Sequence, residues 1–514
     1  KRVLAEATRV VLAEVKRKRV PIGFKDLGAG GISCAVSEMA EAGGVGADID
    51  LDAVNKFPDN LSAQVIACSE TQERYVMFVP DHFTEFVLNV YNREFDLPHI
   101  YSGAGAYVIG HTTDEKRFKL SRNRELVCDA GIDAITTGIE YTREKRKGKP
   151  RSVAAKNGRS PSPRQALLSL LGSFNIADKA ILYQHYDSEV QARAVIRPGE
   201  ADAAVAMFMP GEPVGVALGI GGNSMLGLVD PYLGGAWAVV EAVRNVACVG
   251  ALPLAVTDCL NFGDPEDPEV FSEFCEAVRG IGDACRGLVL RDGPDGGIPV
   301  VSGNVSFYNQ SEKGAPIAPT PIVACAGRLE DASVAQTMGF KKSESTIVLL
   351  GTLHDLMAGS EYVKQFGMTG RDKAPRAAFE FETAILKTLL AGFEKRMVTA
   401  AHDIGHGGLL VTLSEMMFES TPNDIGCDIN AVSAGASTDV HVFSEYGGIV
   451  VEIPDSTFQA FKEMANKNGA PWHFLGRTTS ESKLTVGLTD DELDVPLSEL
   501  RAAAFEGKFN QLFA

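Results

Sequence analysis

Several things are scarce or missing in this 514-residue chain. None of its nine cysteines stands in a CxxC pair, and their number is odd. That excludes the usual sequence signatures of a zinc ribbon and of a fully paired disulfide framework. Most of them, such as Cys68, Cys248 and Cys325, lie in apolar or glycine-rich surroundings, which reads as reduced thiols in a cytoplasm-like compartment. No stretch approaches 18 uninterrupted apolar residues, so no membrane-spanning helix is expected. No GxxxxGK[ST] sequence occurs, so any nucleotide is held by something other than a P-loop. No HExxH occurs either; His402 and His406 are four apart, but the glycines around His406 argue against a helical zinc pair. Positive charge is in deficit: 49 Lys and Arg stand against 67 Asp and Glu, a net charge of -18. That argues against bulk nucleic-acid binding, while phosphate groups remain within reach of backbone amides and Mg²⁺.

One segment runs against this balance. YTREKRKGKPRSVAAKNGRSPSPR, 141–164, is basic, carries Gly, Ser and Pro, and lacks hydrophobic periodicity. It reads as an exposed linker, with a basic arm for RNA or a partner as the alternative.

What is present is a repeat. DLGAGGISCAVSEMA (26–40) returns as DIGHGGLLVTLSEMM (403–417), with seven of fifteen positions identical. CSETQERYVMFVPD (68–81) matches FSEYGGIVVEIPD (443–455) in pattern, and IGHTTDE (109–115) matches LGRTTSE (475–481). The order is kept while the step between copies shortens from 377 residues at Asp26 to 366 at Ile109, as loop deletions would make it. An apolar-periodic helix precedes both copies. Residues 1 to about 125 and about 376 to 490 therefore read as two copies of one α/β domain. Residues about 190 to 330 have no counterpart. The chain starts inside a helical pattern and without Met, and the expectation is that a natural N-terminal portion is lacking or comes from another polypeptide.

In each copy an Asp ends an apolar run, glycines make a turn, and a helix follows. Helix N-terminal amides can face an anion, and Asp26 can hold Mg²⁺ beside it; a plain tight turn explains the glycines equally well. In the middle, AVTDCLNFGDPE places Asp258 after an apolar run, with Asn261, Asp264 and Glu266 beyond it. PVVSGNVSFYNQ reads as a strand ending at Ser302, followed by Gly303, Asn304 and Ser306. Polar groups at strand ends are common in ligand sites, and Asp and Asn oxygens suit Mg²⁺.

Taken together and in order, YDSEV, DPYLGG, AVTDCLNFGDPE, PVVSGNVSFYNQ, DLGAGG and SETQER make the chain resemble phosphoribosylformylglycinamidine synthases of purine biosynthesis. The resemblance implies an α/β (α+β) fold of tandem aminoimidazole-ribonucleotide-synthetase-like units, each a barrel-forming front half plus an α/β back half. The organisation it implies is back half one at 1–125, a linker at 126–189, front half two at 190–335, back half two at 336–490, and a tail at 491–514. The implied reaction is ATP-dependent conversion of formylglycinamide ribonucleotide and ammonia to formylglycinamidine ribonucleotide through an iminophosphate. Its cofactors are ATP and Mg²⁺. By resemblance, Asp26 and Asn304 would ligate the metal, Asp258 and Gly303 would contact ATP, and Glu70, Thr71, Gln72 and Ser306 the substrate. The family's catalytic His would lie outside this chain. Implied partners are a glutamine amidotransferase subunit, a small accessory subunit and the missing N-terminal half, in the cytoplasm, with no membrane or nucleic acid. Thr71 stands where the family usually has Ser. The second copy has Ile404, Gly405 and His406 in its turn and Tyr446-Gly447 after Ser444-Glu445, so it is expected to share the turn but not the job. A non-catalytic nucleotide-holding role is the alternative. A single-unit relative of the same superfamily is disfavoured by the double repeat.

Overall fold

A computed structural model describes residues 2–56, 60–100, 103–137, 141–148, 161–291, 296–312, 314–367, 373–421, 423–430, 441–488 and 492–512. The chain forms two units, Lys1–Thr142 and Arg143–Ala514. The central part of the basic segment, 149–160, lies outside the described residues. Its preceding part is not a free tether: the Arg146 amide donates to the Pro268 carbonyl at 3.0 Å, and Lys145 lies over the Phe271 ring.

Unit one opens with the helix Arg2–Lys18, whose buried stripe is Ala7, Thr8 and Val11. Its strands are β1 (Gly23–Asp26), β2 (Gly46–Asp50), β3 (Tyr75–Phe78), β4 (Gly110–Thr113), β5 (Arg117–Arg122) and β6 (Glu125–Gly131). They form a two-stranded sheet, β1-β3, and a four-stranded sheet, β4-β2-β5-β6. The helix Gly31–Gly43 buries Ile32, Ala35, Val36 and Ala40 at helical spacing into the core that β2 and β5 supply through Ala47, Ile49, Phe118 and Leu120.

In unit two, β7 (Ala194–Ile196), β8 (Ala204–Met207), β9 (Gly215–Gly221), β10 (Leu252–Asn261), β11 (Val300–Ser306) and β12 (Thr320–Leu329) make one six-stranded sheet, ordered β11-β10-β12-β9-β8-β7. Two long helices cover one face. Pro231–Cys248 is apolar nearly all round and buried for most of its length, as an interior helix must be. Pro268–Gly287 buries only Val270, Ala277, Gly280, Ile281, Ala284 and Cys285. The other face of the sheet is open: along β9, Ala217 points to the helices while Leu218 and Ile220 are 56% and 63% exposed. Among the described residues the sheet does not close on itself; β11 and β7 are its edges.

The second back half contains β13 (Thr346–Gly351), β14 (Ala400–Asp403), β15 (Gly426–Asn430), β16 (Gly448–Ile453), β17 (Trp472–Thr479), β18 (Lys483–Gly487) and β19 (Glu492–Pro496). They form a seven-stranded sheet, β14-β16-β13-β17-β15-β18-β19. The repeat read from the sequence is a repeat of structure. Asp26 pairs with Tyr75 as Asp403 pairs with Ile449, and Ala47 pairs with Thr112 as Cys427 pairs with Thr478. Both copies run strand, glycine turn, helix, the second helix being Leu409–Phe418.

Candidate functional site

In unit one, Asp26 is exposed at the end of β1, and the turn after it is built by Gly30 and Gly31, with φ of 75° and 55°. At Gly31 a Cβ would stand 2.5 Å from the Ser69 carbonyl oxygen, so only glycine lets the helix start dock on the segment carrying Ser69 to Gln72. That helix has no side-chain cap; its Gly31 amide donates to the Gly28 carbonyl at 2.9 Å, and the amides after it face the turn where an acceptor could sit. Glu70, Thr71 and Gln72 are exposed on the loop between the helix Ala63–Cys68 and β3. Arg74 ties this loop down: Nε donates to the Thr71 carbonyl at 3.3 Å, and Nη2 to the Ser69 carbonyl at 2.5 Å and the Ser69 hydroxyl at 3.3 Å. Burial lowers the Arg74 pKa. The Arg74 carbonyl in turn accepts from the Leu27 amide at 3.0 Å. The Asp26 turn and the 69–72 loop are thus one cradle.

In unit two, parallel pairing of β10 with β11 sets Asp258 opposite Gly303, Cys259 opposite Asn304 and Asn261 opposite Ser306. The sequence reading ended one strand at Ser302 and put Asp258 at the end of another; both strands run on, β11 through Ser306 and β10 through Asn261. The reason is local: the Asp258 carboxylate lies where a Cβ on Gly303 would be, 2.6 Å from Oδ1, so a glycine there keeps the strands paired. Burial raises the Asp258 pKa, opposed by the Asn304 amide, which donates to it. Because side chains alternate along a strand, Asn304 and Ser306 share a face with Cys259 and Asn261, while Asp258 points to the other. Asn304 Nδ2 is 3.8 Å from Cys259 Sγ, and Ser306 is bound by Asn309, whose Nδ2 donates to the Ser306 carbonyl at 2.9 Å. The Asp258 carboxylate and the Asn304 amide oxygen are each hard donors of the kind Mg²⁺ takes, but the register sets them on opposite faces of the sheet, so these two side chains do not converge on one ion.

A second constellation in unit two escaped the sequence reading. His402, on β14, has Nδ1 2.5 Å from Asp202 Oδ1 and Nε2 2.9 Å from Glu415 Oε2. Burial works against its charge, but Asp202 and Glu415 raise its pKa well above the ordinary value. Asp403 beside it is pushed well up by burial and then by Asp202 and Glu241. His406 sits in the following loop with Nδ1 3.4 Å from Glu445 Oε2; burial is outweighed by Glu445, and its pKa stands at about 10. Glu445 Oε1 accepts from the amides of Glu361 and Gly407, both at 2.8 Å. Asp202 Oδ2 and Glu445 Oε2 are buried without a hydrogen bond. A cavity of about 360 Å³ next to this cluster is lined by Asn175, Asn223, Ser224, Glu361, Lys364 and His406. Asp202, His402 and Asp403 bring one ligand atom each within 4.8 Å of one another. His402, however, commits both ring nitrogens to carboxylates, so a cation there would draw on carboxylate oxygens, Asp202 Oδ2 first. The two histidines do not share a helix face, in agreement with the sequence reading. Nothing in the sequence marks Asp202 as the partner of a residue 200 positions on; Asp403 and His406 were legible only as counterparts of Asp26 and Ala29.

Fold and sites together define a tandem α/β protein that uses one strand–glycine-turn–helix device once in each unit and carries, in unit two, a sheet whose paired strands bear oxygen donors. The pattern described as AIR synthase related protein, C-terminal domain, matches residues 3–123 and 342–489, together more than half of the chain. The corresponding N-terminal domain pattern matches 192–329. The chain belongs to the AIR synthase related protein family. It is 42% identical over 471 residues to phosphoribosylformylglycinamidine synthase subunit PurL of Methanothrix thermoacetophila, covering 90% of this chain and 60% of that one. It is 34% identical to the same subunit of Thermomicrobium roseum, covering 95% and 64%. The chain thus spans about three fifths of these curated relatives. Thermotoga maritima PurL complexed with FGAR shares the fold, with a TM-score of 0.61 at 21% identity over 93% of this chain and 64% of that one. The PurLQS structure from the same organism aligns with a TM-score of 0.60 at 22% identity, over 93% and 66%.

Proposed function

We propose that this chain is part of an ATP-dependent C–N ligase that converts formylglycinamide ribonucleotide and ammonia to formylglycinamidine ribonucleotide, ADP and phosphate in purine biosynthesis. The observation that carries the reading is the β10–β11 register, which sets Asp258 against Gly303 and aligns Asn304 and Ser306 on one face, in a chain 42% identical to a synthase subunit. The amide oxygen of the substrate takes the γ-phosphoryl group of ATP, and ammonia then displaces phosphate from the iminophosphate. In this reading, within unit two, Asp258 and the Gly303 backbone contact ATP and Ser306 donates to a substrate; within unit one, Glu70, Thr71 and Gln72 hold a ribonucleotide in the cradle that Arg74 pins. Asn304 in unit two and Asp26 in unit one would each hold Mg²⁺ within its own unit, where the ion would offset charge on a phosphoryl group.

Ammonia comes from a glutamine amidotransferase subunit, with a small accessory subunit, in the cytoplasm. No helix among the described residues is long and apolar enough to cross a membrane. The open face of the front-half sheet, with Leu218 and Ile220 outward, fits a second front half of the same kind, and the catalytic His belongs there. The test is an assay with ATP, formylglycinamide ribonucleotide and ammonium. The chain alone is expected to give no product, and the chain plus a front-half polypeptide is expected to restore it. Turnover by the chain alone overturns the need for a second front half; no turnover in the reconstituted mixture overturns the ligase reading.

A second reading rests on the buried carboxylates around His402 and the neighbouring cavity: unit two holds a nucleotide and its Mg²⁺ without turning it over. Lys364 and His406 line that cavity and supply positive charge for phosphate, and Glu361 in the same lining supplies a carboxylate. Labelled ADP that stays bound through turnover supports it, and rapid exchange refutes it.

A further inference from the structure

Three strand ends meet at one rim of the front-half sheet. β10 and β11 are parallel and stop level with each other, at Asn261 and Ser306, and β12 starts beside them at Thr320. Asn261 is the middle one: it stands opposite Ser306 on one side and Thr320 on the other. The C-terminal ends of parallel strands are where such sheets commonly take ligands. Phe262, the next residue, ties two of the ends together, its amide donating to the Ser306 carbonyl at 3.0 Å.

The Asn261 amide is locked. Its Nδ2 donates to the Cys259 carbonyl at 3.1 Å and to the Thr320 carbonyl at 3.3 Å, which uses both hydrogens of the group. Turning the amide over would set Oδ1 against two carbonyl oxygens, so the backbone fixes which end points where. A carboxylate could not be held this way, because both partners are acceptors. Oδ1 lies on the side of the amide away from them, and among the described residues nothing donates to it. Ser306 is its complement. Asn309 Nδ2 donates to Ser306 Oγ at 3.1 Å, which fills an acceptor site and leaves the hydroxyl hydrogen to be given. The acceptor near that hydrogen, Asn309 Oδ1, is 3.5 Å away, a long contact that a ligand oxygen can replace. A fixed acceptor and an available donor thus stand side by side on the open face, with Asn304 on the same face.

We propose that Asn261 is a specificity residue for the amide: its Oδ1 accepts from the N–H of the substrate amide whose oxygen Ser306 holds. This rests on the ligase reading, in which Ser306 donates to a substrate. An amide under attack offers one acceptor, its carbonyl oxygen, and one donor, its N–H, and the pair answers both. The contact also gains strength along the reaction. As the amide oxygen takes the phosphoryl group, the nitrogen lends its lone pair to the carbonyl carbon and the N–H gains positive character. A neutral acceptor already in place is then worth more on the way to the iminophosphate than in the bound substrate. An analogue without the N–H leaves Oδ1 facing a second acceptor, and such a mismatch is what lets a site reject a close relative of its ligand.

The test uses the chain reconstituted with a front-half polypeptide and two ligands: formylglycinamide ribonucleotide, and the analogue in which an ester oxygen replaces the N–H of the reacting amide. The parent enzyme is expected to bind the ester at least tenfold more weakly than the amide. Asn261→Ala is expected to bind the two within threefold of each other, to raise KM for the ribonucleotide tenfold or more, and to leave KM for Mg²⁺-ATP within twofold. A variant that weakens both ligands alike and keeps the tenfold ratio overturns the proposal, because a merely structural role does that. An equal rise in both KM values overturns it in favour of a cation contact at Oδ1. Where Asn261→Ala does not fold, Asn261→Ser, whose hydroxyl can still donate to one of the two carbonyls, is put to the same comparison. Equal binding of amide and ester by the parent overturns the role of Asn261 and leaves the ligase reading standing. No binding of the amide by the parent overturns the reading and the proposal together.

Discussion

Arg244 and Glu382, 138 residues apart in sequence, meet as a buried two-pronged pair at 2.9 and 2.6 Å. The arginine comes from the long buried helix Pro231–Cys248 and the glutamate from the helix Phe379–Glu394, so the pair joins the front and back halves of unit two. Removing one buried partner strands the other, at a cost of about 3–5 kcal/mol. Glu382→Leu is expected to lower stability by that order, and Arg244→Met combined with Glu382→Leu to recover most of it. Denaturant melts decide this; a double variant as unstable as the single one would mean that the charge itself is needed.

Stability should fall as pH rises above neutral. The His406 pKa is raised from 6.5 to about 10, so the stability it contributes is fully present below about 6.5 and is lost as pH climbs through about 10. The raised Asp403 pKa acts in the same direction, because its charge is costly in the fold. The slope from a single such group is at most about 1.4 kcal/mol per pH unit. Thermal melts between pH 7 and 10 are expected to drop for the parent chain and to flatten for His406→Asn. Parallel curves would remove His406 from the account.

Asn304→Leu takes an oxygen donor from the exposed face of β11 and puts a branched alkyl group there. Loss of one charge-assisted contact is expected to cost about 1.5–3 kcal/mol of Mg²⁺-ATP affinity, roughly 10- to 150-fold. Gly303→Ala forces a methyl against Asp258 and is expected to destabilise the β10–β11 pair by about 1–3 kcal/mol. Calorimetry and melts separate the two effects; unchanged affinity in Asn304→Leu excludes that residue from the site.

Asp26 and Asp403 occupy the same place in the repeat but in opposite surroundings, one exposed and one buried among carboxylates. Asp26→Ala is expected to cut turnover of the reconstituted enzyme at least 100-fold, about 2.7 kcal/mol of barrier, with little change in melting. Asp403→Asn is expected to raise stability at pH 8 by relieving repulsion with Asp202 and Glu241. Equal catalytic losses at the two positions would refute the division of labour.

Arg74→Met is expected to free the loop at 69–72, since the guanidinium holds the Ser69 and Thr71 carbonyls. Amide exchange at Glu70–Gln72 should quicken tenfold or more, and ribonucleotide affinity should fall even though Arg74 need not touch the ligand. Exchange rates equal to those of the parent chain would show that the loop keeps its shape unaided.

Much was legible in the chain of residues because it depends on local patterns. The strand, glycine turn and helix around Asp26 and Asp403 follow from apolar periodicity and from the φ values that only glycine adopts cheaply. The identity of the two back halves follows from the ordered echoes of DLGAGG, SETQER and IGHTTDE. Registers were not legible: whether Asn304 shares a face with Asp258 depends on where β10 and β11 continue, and the close fit of Asp258 over Gly303 decides that. Nor could sequence connect His402 with Asp202 and Glu415, because a buried ion pair is made by elements that meet only in the folded core, where exclusion of water gives their charges long reach. Periodicity determines which stretches can be strands; which edges go unpaired is decided only once the sheets assemble, because a strand's hydrogen bonds are satisfied by its neighbours in space.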